Sequence, residues 1–283
     1  MTLTIKTYGR ATRAMWITAV LLTAAPLAHS ATGQKAATAT ANVAAETPSQ
    51  AEARAILMKM ANFLASAQKF SVSLRGGYDT VQASGQKIEF GESRTITVSR
   101  PDRLRVEGER SDGAKTLVIL TGKEIVLVDL TSKVYATTPQ PGPIDDSVVY
   151  FVRDLGMRLP LAALFLSRLP SELQDRVRSV DYVEKTTISG VPSHHLAARG
   201  DTVDYQVWVA DGDKPLPQRI VLTYKKAVGQ PQYWAQFMDW NLEPKIDDAT
   251  FSGRVPDGLQ KIAFAAQLPH KPTAPASARK GAK

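Results

Sequence analysis

Residues 100–138 constrain the fold more than any other stretch of this 283-residue chain. Four short apolar runs, Leu104–Val106, Leu117–Leu120, Ile125–Leu130 and Val134–Tyr135, are separated by Gly, Asp and Lys. Runs this short, each bounded by turn residues, predict antiparallel strands. Ser111-Asp112-Gly113 and Thr121-Gly122-Lys123 supply the hairpin turns. The stretch is therefore a β-meander, and the rest of the chain must add sheet to its sides or lay helix over it.

The formal charge of +8 invites a nucleic-acid reading until the charges are located. Lys6, Arg10 and Arg13 stand before any acidic residue, and Lys261, Lys271, Arg279, Lys280 and Lys283 follow the last one, Asp257. Residues 31–257 are left formally neutral. A phosphate-binding groove needs basic residues clustered on the folded surface, so no nucleic-acid partner is expected. The first three basic residues precede an apolar run, Ala14–Ala25, then Pro26 and the small-residue site Ala28-His29-Ser30. This is the pattern of a cleavable signal peptide over residues 1–30, too short to span a bilayer as an anchor. The chain has no cysteine, which rules out disulfides, thiol catalysis and lipobox acylation. The mature protein is expected in the periplasm, not as a lipoprotein, with at most peripheral membrane contact.

Residues 31–48 read as a flexible linker rich in Ala and Thr. A helix follows, with Ser49 and Glu52 as a capping box and Ile56, Met60, Phe63, Leu64 and Ala67 as its apolar stripe. Phe70, Val72 and Leu74 alternate with polar residues as a half-buried strand that Gly76-Gly77 closes or bulges. Ile88–Ser99 continues the sheet, with Ile96 and Val98 inward, until Pro101 makes a corner with Asp102.

Pro139-Gln140-Pro141-Gly142-Pro143 then forms a rigid connector. Asp145, Asp146 or Ser147 can cap a short helix containing Val148, Val149, Phe151, Val152 and Leu155, which Gly156 ends. A second piece opens at Pro160 and runs through Leu161–Leu166. Segments this apolar must be covered or must themselves cover an apolar space. Strands resume from Arg176 and continue to Trp240, with turns at Ser189-Gly190 and Asp211-Gly212-Asp213. Tyr233, Ala235 and Phe237 share one face of the last long strand, and Trp234, Met238 and Trp240 the other. Residues 265–283 read as a disordered basic tail.

Few residues suggest catalysis or metal binding. His194-His195 lies within a strand, where neighbours point to opposite faces, and no third histidine is available in the fold. No metal site or cofactor is expected. Asp145-Asp146 and Asp247-Asp248 fall where caps and turns need carboxylates. No G-x-S-x-G elbow or phosphate-cradling glycine loop occurs. Trp208, Trp234, Trp240, Tyr205 and Tyr233 fit cross-strand packing or a pocket lining.

Three sets of residues carry a family resemblance. They are Arg100-Pro101 leading into Leu104-Arg105-Val106, Gly122-Lys123-Glu124 before an apolar strand, and the ending Asp239-Trp240-Asn241, Asp248, Phe251 and Pro256-Asp257-Gly258. Over residues 49–264 the chain resembles the LolA/LolB lipoprotein-carrier-like superfamily. Within it, the chain is most similar to a family of predicted periplasmic proteins carrying a domain of unknown function. The resemblance implies an α+β fold: a strongly curved antiparallel β-sheet, an open half-barrel, with helices covering its concave face. It also implies an apolar cavity for a lipid or acyl chain. On that reading Leu104, Val106, Leu117, Ile119, Ile125 and Leu127 line the wall, while Val148, Phe151, Leu155, Leu164 and Phe165 form the lid. Arg100 is similar to an arginine that hydrogen-bonds lid backbone. A non-enzymatic carrier is expected, with an envelope-protein-binding sensor as the alternative and an envelope hydrolase as a third reading.

Overall fold

A computed structural model describes residues 46–268. The expected signal peptide, most of the linker and nearly all of the basic tail lie outside the described residues. The first element, α1 (Pro48–Ser66), opens earlier than the sequence pattern indicated. The N-cap is Thr47, not Ser49: its hydroxyl accepts from Gln50 N–H, and the Gln50 side chain accepts from Thr47 N–H. Pro48 at the first helical position has no N–H to lose, which favours this start. Thr47→Ala should cost about 1 kcal/mol in chemical denaturation, the usual loss for a cap. The buried stripe is also rotated from the expected one. Ala53, Leu57, Met60, Ala61 and Leu64 are buried, and Ile56 and Phe63 flank them.

Strands β1 (Lys69–Val81), β2 (Lys87–Ser99), β3 (Arg103–Arg110), β4 (Lys115–Thr121), β5 (Glu124–Asp129) and β6 (Val134–Pro139) form the first half of the sheet. The second half is β7 (Val177–Ile188), β8 (Val191–Gly200), β9 (Val203–Ala210), β10 (Pro217–Tyr224) and β11 (Gln232–Asn241). A two-residue β12 (Gln260–Lys261) runs parallel to β6, and every other pairing is antiparallel. One unclosed sheet results, in the order β12-β6-β5-β4-β3-β2-β1-β11-β10-β9-β8-β7. This is the expected α+β half-barrel, and β1 joins its halves by pairing with both β2 and β11.

The glycine pair expected to close or bulge β1 does neither; the strand runs through Gly76 and Gly77 to Val81. The irregularity lies instead between Ser71 and Ser73, opposite Met238–Asn241, where Asp239 is left-handed (φ 55°). That extra residue shifts the phase of β11. Trp240 consequently joins Phe237 and Phe70 on the core side, with ring centroids 5.6 and 5.7 Å away, and does not share a face with Trp234.

Between the halves lies the segment expected as a lid, hereafter the lid: α2 (Ile144–Val149), a π-helical turn at Tyr150–Asp154, a 3₁₀ turn at Ala162–Phe165 and α3 (Leu169–Arg176). Here α3 occupies the residues just before the resumed strands, and its Pro170 sits in the first turn. No side chain caps α2, whose N-cap is Pro143. The first lid helix is amphipathic, because Val148, Phe151 and Leu155 are buried while Val152, Arg153 and Asp154 are exposed.

Cross-strand register sorts the sheet residues into two faces. The rows Phe70–Val98–Leu104–Leu120–Ile125 and Val72–Ile96–Val106–Val118–Leu127 point inward. With α1 and the lid they make one continuous core. The segment after β11 crosses the outer face, where Val255 and Leu259 pack on a small second cluster of Ile119, Val126 and Val128. It then rounds the β6 edge through β12, and Phe264 enters the main core.

Candidate functional site

The lid is held at the corner where β2 ends. Arg100 donates from Nη1 to Phe165 O (2.8 Å) and from Nε to Ala67 O (3.1 Å); its Nη2 reaches Leu64 O at 3.5 Å. One guanidinium thus joins the last carbonyls of α1, which have no helical partner, to the lid backbone. Burial lowers the pKa of Arg100, and the carboxylate of Asp145 opposes that shift. Asp145 itself does not cap α2. It accepts from Ser167 N–H (2.9 Å), Ser167 Oγ (2.9 Å) and Arg168 N–H (3.4 Å), tying the two lid pieces together. Ile144 N–H adds a bond to Pro101 O at 2.8 Å.

Not every expected wall or lid residue is at this site. Leu104, Val106 and Ile125 line the inner face, Leu127 packs beside them, and Val148, Phe151, Leu155, Leu164 and Phe165 meet them from the lid. Leu117 and Ile119 do not; they lie on the outer face with Val126 and Val128. The apolar run Leu117–Leu120 has no internal alternation, so residue type alone could not choose its inward pair, whereas pairing of Val118 with Val106 and Leu120 with Leu104 does.

Beneath the lid lie buried side chains of the main core, including Met60, Leu64, Phe70, Ile144 and Phe151. Two open hollows indent the surface elsewhere. One of about 450 Å³ crosses the outer face past Arg75, Thr95, Arg105, Glu107 and Met238. The other, of about 480 Å³, lies along the outside of the lid beside Asp146, Tyr150 and Arg153.

The far end of the inner face has a different character, which the strand pattern did not signal. Tyr78 and Phe90 pair across β1 and β2 with rings stacked 5.8 Å apart, and Phe90 and Ile88 remain 40% and 38% exposed. Next along the strand, Glu92 and Arg94 form a two-bond pair (both 2.9 Å), and Tyr233 donates to Glu92 Oε1 at 2.9 Å. Burial disfavours the charge on Arg94, but Glu92 outweighs it and raises the pKa. Burial and then the Glu92 charge push the Tyr233 phenol well up, so it remains a donor.

The histidines do not converge. His194 faces Tyr182 Oη (3.1 Å) and Asp211 (3.1 Å), whereas His195 stacks on Trp208 at 4.0 Å and meets Gln206. Among the described residues no group of three His, Cys, Asp or Glu side chains is placed to hold a metal ion. No described helix is long and apolar enough to cross a membrane.

Residues 53–265 match the family described as "Predicted periplasmic protein (DUF2092)". The chain belongs to that family. No curated protein matches this DUF2092 chain. Among solved structures it is similar to the lipoprotein LppX of Mycobacterium tuberculosis, with TM-score 0.45, 13% identity, and coverage of 70% of this chain and 100% of that one. MucB in its complex with MucA from Pseudomonas aeruginosa gives TM-score 0.39 at 17% identity, covering 70% of this chain and 60% of that one. A LolA superfamily protein from Nitrosomonas europaea gives 0.36 at 10% identity, covering 71% and 97%.

Proposed function

We propose that this DUF2092 protein is a non-enzymatic periplasmic carrier that holds the acyl chain of an amphiphile between its sheet and its lid, and that the structure is its closed state. The observation that carries this reading is the Arg100 fork, which fastens the lid to the end of α1 through backbone carbonyls. A fold that needed these segments only as core would bury them without a charged clasp. The lid is also conformationally costly, since Leu161 is left-handed at φ 60° and Tyr150–Asp154 forms a π-helical turn. Such segments belong to the low-stability end of a fold, where opening precedes global unfolding. Swinging the lid away would uncover the inward rows ending in Leu104, Leu120 and Ile125, and an acyl chain would then cover that apolar surface in place of the lid.

Arg100→Met keeps the side-chain length and removes the fork. It should lower stability by about 2 kcal/mol, as expected for lost bonds from a charged donor. It should also raise the fluorescence of an environment-sensitive dye under native conditions. An unchanged dye signal, with native mass spectrometry of envelope-purified protein showing no bound lipid, would sink the carrier reading.

The exposed rim formed by Ile88 and Phe90 favours one further reading, docking of an envelope protein at this end of the sheet. A photocrosslinker at position 90 in cells should then trap a discrete protein adduct.

A further inference from the structure

We infer that Glu92, Arg94 and Tyr233 form a headgroup subsite that selects a neutral, hydrogen-bond-accepting head, such as an ester carbonyl, over a free carboxylate. This deepens the carrier reading and rests on it. The pair sits on the inner face, because Arg94 is opposite buried Leu74 and Glu92 is opposite Gly76. From Arg100 it is six residues back along β2, roughly 20 Å at strand rise. That separation suits an extended acyl chain with its tail at the clasp and its head here.

The chemistry of the pair defines what it can take. The side chains are only 6% (Glu92) and 17% (Arg94) exposed. A buried ion pair is seldom better for stability than apolar residues of the same volume, so this one calls for a use beyond folding. Both Glu92 oxygens are engaged, Oε1 by Arg94 and Tyr233 and Oε2 by Arg94. Arg94 uses Nε and Nη2 on Glu92, while its Nη1 has no hydrogen-bond partner among the described residues and is not sealed in the interior. Donors therefore remain, but no net charge does.

The ladder neighbours of the pair are small. The neighbours of the pair across the ladders are Gly76 beside Glu92 and Gly108 beside Arg94. The Trp234 carbonyl oxygen closes over Gly76, 2.6 Å from where a Cβ would stand, and Thr116 Oγ1 lies 3.0 Å from the Cβ position of Gly108. Neither glycine brings a side chain of its own over the pair. A neutral carbonyl can accept from Nη1 without upsetting the charge balance. A carboxylate would bring a second negative charge beside Glu92 in a partly dehydrated site, and an ammonium would meet oxygens already engaged.

Calorimetric titration of the full chain with 1-monodecanoylglycerol, decanoate and decylamine, all as monomers, tests this. The same titrations use Glu92→Gln, which leaves Arg94 uncompensated, and the double variant Glu92→Gln/Arg94→Gln, which is neutral and nearly isosteric. The wild type should bind the monoacylglycerol about tenfold more tightly than either charged amphiphile. Glu92→Gln should reverse the order in favour of decanoate, and the double variant should bind all three with little discrimination. If Glu92→Gln does not fold, as read by circular dichroism, loss of discrimination in the double variant still decides the matter. Equal wild-type affinities, or an unchanged order in the variants, would overturn the headgroup assignment and leave the carrier reading standing. Failure of every decyl amphiphile to bind either the wild type or Arg100→Met would overturn both.

Discussion

Truncating Phe151 to alanine is expected to cost about 4 kcal/mol of folding stability, the range for removing a fully buried aromatic ring. Phe151 is 1% exposed and stands where the π-helical turn of the lid meets the main core. The surrounding core holds Ile144, Val148 and Leu164 from the lid itself. Relaxation into the cavity would have to move the lid, which Arg100 and Asp145 fasten at its other end. Urea unfolding measures the total. Hydrogen exchange should show protection falling in residues 144–168 and, by the same global loss, in the core strands β1 and β2. A loss below about 1 kcal/mol would mean that the lid packs loosely in solution, contrary to a closed state.

The second large effect is expected at the seam of the sheet. Gly76 lies where β1 pairs with β11, opposite Ala235, and an added Cβ would come within 2.6 Å of the Trp234 carbonyl oxygen. That atom belongs to the backbone of a central strand and cannot rotate aside. Gly76→Ala should therefore cost about 3 kcal/mol or more by forcing the two halves apart. Gly91→Ala is the matched control on β2, since its nearest neighbour would be 3.7 Å away, an ordinary contact. The control should be neutral or slightly stabilising, by about 0.5 kcal/mol, because alanine loses less chain entropy than glycine on folding. Equal melting temperatures for the two variants would contradict the close seam.

Much of the architecture follows from local pattern. The hairpin turns at 111–114 and 122–123 contain Gly113 and Gly122 at φ 80° and 81°, conformations that favour glycine. Alternation on β1 predicts Phe70, Val72 and Leu74 as inward residues, and all three are buried. Sequence and structure part where a pattern has more than one solution. Ser49 and Glu52 satisfy the capping-box spacing as well as Thr47 and Gln50 do, and Pro48 decides between them. Trp240 changes face because one left-handed residue, Asp239, alters the phase of β11.

The candidate site is legible in the sequence only at its clasp. The family resemblance points to Arg100, the residue before Pro101, and its fork reaches the α1 carbonyls and Phe165 O. Asp145 fits a helix cap by position, because carboxylates near a helix start have that usual use; its bonds to Ser167 and Arg168 span 22 and 23 residues. Glu92 and Arg94 read as ordinary polar positions of a strand, for the third member, Tyr233, is 141 residues from Glu92.

Residue order was enough to specify strands, turns and the apolar segments between the two meanders, because those depend on periodicity and backbone preference over a few neighbours. The family kinship was legible there too, in short motifs near the proline corner and the closing segment. Which face each strand turns inward, how β1 unites two distant meanders, and where the charged pair meets its tyrosine were decided by long-range pairing. Those choices depend on register across the whole sheet, where a shift of one residue exchanges inside for outside.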